Sequence, residues 1–368
     1  MWAAAIFFLF SAVASAEVRL ERSSVTTTYI DYEFAVTNQG DVPKLNWDLF
    51  SKREPRLVKR EQPAIILENE FFRATILPER GMIYSFVHKR SGREQLWRNP
   101  AAKPIRANND TGYWVTWGGV EHVLPQGEHG TSHALPWQYD AVQKRGREAG
   151  VRMSVTEPLT GLQHVVVCMA VEGQPSLRVD IEIRNKGERE VRFSHWTNNM
   201  FAPGGRGEIG ADTEIVVPAE RFVPADKPFN SWMANLVGPA TESPLRFLKS
   251  WKDIGDLTST PLREPWFAAY SQTAQQAIIR LIDTTQTPGL MIWTWGFQPA
   301  LQRQKEYTAA PPNMGYVEMW NGTARDYSNA SLKAIASGST ISWREELCAL
   351  DNVKSSEELR GRVAECRR

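Results

Sequence analysis

The chain has 368 residues, 42% hydrophobic and 23% charged, with 43 basic against 42 acidic side chains for a formal net charge of +1. That is the composition of a globular protein with a sizeable core, and it excludes the overall basic surplus with which nucleic-acid binders neutralise phosphates. The unusual count is 14 Trp, a residue that fills cores and interfaces and also stacks on the C–H faces of sugar rings.

Residues 2–13 form an apolar run without charge, and Ala14-Ser15-Ala16 before Glu17 is a cleavage pattern, so residues 1–16 are expected to be a signal peptide. The run falls short of the ~20 residues that span a bilayer. A periplasmic or secreted protein, not inserted in a membrane after cleavage, is therefore expected. Residues 17–60 are more polar, with the charge cluster Lys52-Arg53-Glu54 through Lys59-Arg60-Glu61, and read as an N-terminal extension with a strand or hairpin.

Strand signals then dominate residues 61–350. Residues 64–77 alternate and are rich in Ile, Leu and Phe before Pro78–Gly81 punctuates. Residues 151–156, 163–171 and 177–184 follow. The last sets Leu177, Val179, Ile181 and Ile183 against Arg178, Asp180, Glu182 and Arg184, a half-buried antiparallel strand with its turn at Asn185-Lys186-Gly187-Glu188. Further strands are predicted at 277–283, 289–295, 315–320 and 331–343. Short strands at near-regular spacing predict an all-β sandwich of antiparallel strands with few short helices. A C-terminal tail, 351–368, carries one predicted helix over 355–366, N-capped by Ser355 or Ser356.

Cys168, Cys348 and Cys366 fit no zinc spacing. Cys348 and Cys366 are candidates for a disulfide, and Cys168, in the apolar run 165–169, reads as a small buried hydrophobe. Gly205-Arg206-Gly207-Glu208-Ile209-Gly210 matches G-x-G-x-x-G but lacks the strand before and the helix after that a dinucleotide site requires. No cofactor and no metal are expected.

Three segments could carry chemistry. In residues 313–322 strand alternation puts Tyr316, Glu318 and Trp320 on one face and Val317 and Met319 on the other. A carboxylate between two aromatics suits a sugar site, and partial desolvation would raise its pKa toward that of a general base; a solvent-facing Glu on an edge strand is the alternative. In 193–199, His195 reads either as a core histidine or as a general acid. Residues 114–133 gather Trp114, Trp117, Glu121, His122, Glu128, His129 and His133 around glycines. Glu121 and His122 are adjacent, so a strand would point them to opposite faces. The segment fits a sugar cleft better than a metal site.

Asn69-Glu70-Phe71-Phe72-Arg73, Leu77-Pro78-Glu79-Arg80-Gly81 and Trp97-Arg98-Asn99-Pro100 resemble the opening of a galactose mutarotase-like domain. Gly118-Gly119-Val120-Glu121, Trp196-Thr197-Asn198, Ser250-Trp251-Lys252, Ile292-Trp293-Thr294-Trp295-Gly296, Tyr316-Val317-Glu318 and Trp343-Arg344-Glu345 continue the series in order. The resemblance covers about residues 25–350 and is to a bacterial branch often fused to tetratricopeptide repeats. The chain departs from that branch at Gly81-Met82-Ile83, where the branch usually has G-G-R, so the substrate-binding arginine is either missing or replaced by Arg80.

The resemblance implies a β-supersandwich and a carbohydrate ligand, a mono- or oligosaccharide; separately, a monomer or weak dimer is expected. It implies aldose 1-epimerase-like acid/base chemistry, with Glu318 as base and His195 or His122 as acid. Trp117, Trp293 and Trp320 would stack on the sugar, and Glu121, His129, Asn198 and Tyr316 would line the site. The alternatives are a non-catalytic carbohydrate-binding protein and a polysaccharide lyase drawing on Asn198, Arg80, His129 and Tyr316.

Overall fold

Strand alternation builds the fold as two antiparallel sheets. The computed structural model describes residues 17–126, 128–144, 147–205, 207, 209–297, 305, 308–309, 315–326 and 331–367; the expected signal peptide, 1–16, lies outside the described residues. One sheet has twelve strands and the other eight.

The larger sheet starts at its edge with Arg19–Ile30, paired along its whole length with Leu57–Glu68. The expected N-terminal extension is therefore the edge of this sheet. Phe72–Leu77 and Met82–His88 follow, and then come the five strands that matter most: Val120–Val123 (the Glu121 strand), Trp196–Asn199 (the Asn198 strand), Tyr316–Gly322 (the Glu318 strand), Gly289–Gly296 (the Trp293 strand) and Gly255–Ser259 (the Asp256 strand). The second sheet runs Gln138–Lys144, Glu148–Thr156, Leu162–Val171, Ser176–Asn185, Thr340–Leu350, Gln276–Leu281, Trp266–Ser271 and Thr213–Val216.

Ser176–Asn185 follows its pattern. Leu177, Val179, Ile181 and Ile183 are buried, while Asp180 on the other face bridges Arg178 at 3.0 Å and Arg344 of the neighbouring strand at 2.6 Å. The inner faces of both sheets meet in one core that includes Phe86, Trp97, Val166, Ile181, Phe201, Phe267 and Ile292. The alternating stretch 64–77 belongs to two strands, Leu57–Glu68 and Phe72–Leu77, joined by a tight turn. Asn69 makes the turn: its Oδ1 accepts from the backbone N–H of Phe71 and Phe72 at 2.9 and 3.1 Å. Its Nδ2 donates to the carbonyls of Val171 and Gln174, a local side-chain competition that apolar periodicity does not register.

The C-terminal helix runs Ser356–Arg362, with the Ser355 hydroxyl accepting from the Glu358 N–H at 3.1 Å, the N-cap bond that satisfies a free helix-end donor. Cys348 and Cys366 form a disulfide that ties this tail to the last strand. Cys168 is buried, and burial pushes its thiol up to about 12, as suits a small core hydrophobe.

Gly118 and Gly119 deliver the chain into the Glu121 strand. Their φ values are +94° and +79°, and a Cβ on either would stand 2.4 Å from the Trp97 carbonyl oxygen or 2.2 Å from that of Ile83. Only glycine avoids both the strain and the clash. Gly119→Ala is expected to destabilise the fold by roughly 1–3 kcal/mol, read from the urea midpoint; an unchanged midpoint would contradict this packing.

Candidate active site

Strand register assembles the site. Across the Glu121, Asn198 and Glu318 strands, Glu121 lies opposite Asn198 and Asn198 opposite Trp320. Across the next three, Glu318 lies opposite Trp293 and Trp293 opposite Asp256. Directly paired residues share a face, so all six project from the outward face of the larger sheet, away from the core. A cleft of about 340 Å³ opens there, lined by Glu318, Trp320, Trp293, Asp256, Trp114, His129 and Lys227 among others. That volume lies within the range of small-molecule sites, roughly 300–1,000 Å³.

Glu318 is the best-supported group in the cleft. Its carboxylate accepts from the Tyr316 hydroxyl and from Trp320 Nε1 at 2.8 Å. Burial raises its pKa to about 7, against the lowering effect of these two donors and the neighbouring Asn198 amide. The Asn198 side chain is fully buried beside it. The Tyr316 ring packs at 4.5 Å from Trp97 and 4.7 Å from Trp295. Tyr316 thus stands behind Glu318 as a support and leaves the cleft face to Trp293 and Trp320.

Two further carboxyls stand near. Asp256 faces the cleft, raised to about 7 by burial against the opposing pull of Lys227, and its Oδ1 is buried without a hydrogen-bond partner. Glu121 lies beneath the wall, bonded to Trp114 Nε1 at 3.2 Å and raised to about 8 by burial and then by Glu318. Over it, His129 stacks on Trp114 at 3.5 Å between ring centres and stands 4.0 Å from Glu121 Oε2. Burial holds His129 well below the usual imidazole range, so it is neutral. The loop that presents it is strained: Glu128 and His129 have φ of +53° and +73°, conformations that non-glycine residues rarely adopt.

Three expected residues lie elsewhere. His195 is fully buried and points between the sheets, its ring 4.9 Å from His164 and 5.0 Å from Trp343, both on the second sheet. His122 is turned inward too, 6.0 Å from His195, because its neighbour Glu121 takes the outward face and alternation leaves His122 the inner one. Burial lowers the pKa of both, so neither carries a proton to give near neutral pH. Trp117 packs with Tyr29 and under Arg80 in a separate cavity. Asp256 and Lys227 are cleft residues that were not among the expected set, whereas Trp114 belongs to the 114–133 segment expected to form a sugar cleft. The alternation of Asp256 against buried Leu257 was the available signal for the first. Among the described residues no cluster of three or more His, Cys, Asp or Glu is arranged to hold a metal ion.

The two-sheet sandwich is that of the galactose mutarotase-like proteins. The chain is similar to a TPR-domain-containing protein from Parabacteroides distasonis (TM-score 0.74, 18% identity, 93% of this chain and 57% of that one). It is also similar to a candidate aldose 1-epimerase from Klebsiella pneumoniae (TM-score 0.58, 14% identity, 94% and 95%). A galactose mutarotase-like protein from Clostridium acetobutylicum has a TM-score of 0.54, 11% identity and coverage of 79% and 96%. The chain thus spans little more than half the length of the first of these. No curated protein matches it. The chain belongs to the family described as Domain of unknown function (DUF5107), whose model matches residues 39–341.

Proposed function

We propose that the protein is an exported carbohydrate-binding protein that acts on a sugar by aldose 1-epimerase-like acid/base chemistry in the Glu318 cleft. The observation that carries this is Glu318 itself, a carboxyl on a cleft wall that burial raises to about 7 against the lowering effect of two aromatic donors. Its partner is Asp256, two strands away, about 9–10 Å at the backbone from strand spacing, with Trp293 on the strand between them and all three lining the cleft. Glu318 takes the proton of the anomeric hydroxyl, the C1–O bond to the ring oxygen breaks as the carbonyl forms, and that oxygen takes the proton of Asp256. Rotation about C1–C2 and the reverse steps give the other anomer and restore both protons.

Donors to Glu318 favour its anion, while the partnerless Oδ1 of Asp256 favours the neutral acid. The two titrate as a pair, and the reactive form has one proton between them. Below about pH 7 both are protonated and the base is lost; above it both are ionised and the acid is lost. The expected kcat/KM profile is a bell with its maximum near pH 7. A flat profile from pH 5 to 9 would remove this assignment.

A non-catalytic binding role is favoured by the inward His195, which leaves the cleft without a protonated histidine as acid. The lyase reading loses Arg80, which lines another cavity. Export is supported by the apolar run at residues 2–13 and by the Cys348–Cys366 disulfide, since such bonds persist in oxidising compartments. The test is anomer exchange, followed by polarimetry, on a panel of aldoses with wild-type protein and Glu318→Gln.

A further inference from the structure

We propose a second ligand site, where the N-terminal segment meets the larger sheet, that takes a small ligand carrying an oxyanion, a carboxylate or phosphate on a sugar-sized body. A cavity of about 470 Å³ lies there, of ligand-site size, and it shares no lining residue with the Glu318 cleft. The short strand Tyr113–Val115 divides the two: Tyr113 and Val115 line this cavity, while Trp114 between them lines the other.

The charge arrangement singles out Arg80. Arg60 is already neutralised by Glu33 at 2.5 Å, and Glu79 is exposed. Among the described residues no carboxylate lies within ion-pair distance of Arg80. Its guanidinium is held 4.1 Å over the Trp117 ring, and its Nε is buried without a hydrogen-bond partner. Tyr32 and Tyr113 stand beside it with phenol pKa values raised by burial, so both remain hydroxyl donors. Burial and then Arg80 lower His133 to about 3, which keeps it neutral. A planar fork fixed on an indole, flanked by two phenols, matches the geometry of a carboxylate or phosphate, whose two oxygens it can engage together.

The test is calorimetric titration of the purified protein at low salt with glucuronate, galacturonate and glucose 6-phosphate, with glucose and galactose as neutral controls. At least one anionic sugar is expected to bind at least tenfold more tightly than its neutral counterpart, and whether uronate or phosphate does so names the source of the oxyanion. Arg80→Gln should weaken that binding at least tenfold, Arg80→Lys less, and Glu318→Gln not at all. Tyr113→Phe, which keeps the ring and its packing, should weaken it a few-fold, so the site remains testable if Arg80→Gln unfolds. The proposal is overturned if no anionic sugar outbinds its neutral counterpart, if both Arg80→Gln and Tyr113→Phe bind as wild type, or if Glu318→Gln abolishes the binding.

Discussion

Glu318→Gln is expected to slow anomer interconversion by ~10²–10⁴-fold, the contribution of a positioned general base, while sugar affinity changes only a few-fold. The amide keeps the size of the carboxyl and still accepts from Trp320 Nε1 or the Tyr316 hydroxyl, so the wall between Trp293 and Trp320 stays in place. What it loses is the ability to take a proton. Rate and affinity should therefore separate: kcat falls and the dissociation constant from calorimetry does not. Equal loss of both would mean that Glu318 holds the sugar without reacting, and loss of neither would move the site away from the cleft.

Removing Arg280 is expected to destabilise the fold by ~3–5 kcal/mol, as when one partner of a buried ion pair is left alone. Arg280 Nε and Nη2 both donate to Glu345 Oε2, at 2.9 and 2.5 Å, with both side chains fully buried. The other oxygen of Glu345 accepts from Asn321 Nδ2 at 2.7 Å and Trp343 Nε1 at 2.9 Å. Asn321 is on the Glu318 strand and is bonded in turn by Asn199 at 3.0 Å, so the network clamps the floor of the cleft to the second sheet. Arg280→Met should lower the urea midpoint sharply, and adding Glu345→Gln should restore much of the loss by removing the orphaned charge. A single substitution costing less than about 1 kcal/mol would show that the pair is not isolated from water as described.

The sandwich was legible because buried strands write their two faces into the sequence: Leu177, Val179, Ile181 and Ile183 name the inner face without any knowledge of partners. The same rule put Tyr316, Glu318 and Trp320 together and separated Glu121 from His122. It did not reveal which face of the larger sheet is the outer one, and so it left His195 open between core and cleft. In the structure the strand breaks between Phe193 and Trp196, and His195, in the gap, turns inward toward His164 and Trp343. For Asp256, alternation against Leu257 gives a face but not a neighbour: its place beside Glu318 comes from non-local pairing through Trp293. Trp117 and Trp114 fall in one aromatic stretch, yet they line different cavities, an outcome fixed by the two glycines and the short strand around them.

The most direct test of the cleft's role is a crystal structure of the protein with a bound aldose. The sugar ring is expected between Trp293 and Trp320, with its anomeric oxygen within hydrogen-bond reach of the Glu318 carboxylate, about 2.6–3.2 Å. A ring seated anywhere else, with the Glu318 cleft vacant, would contradict the account.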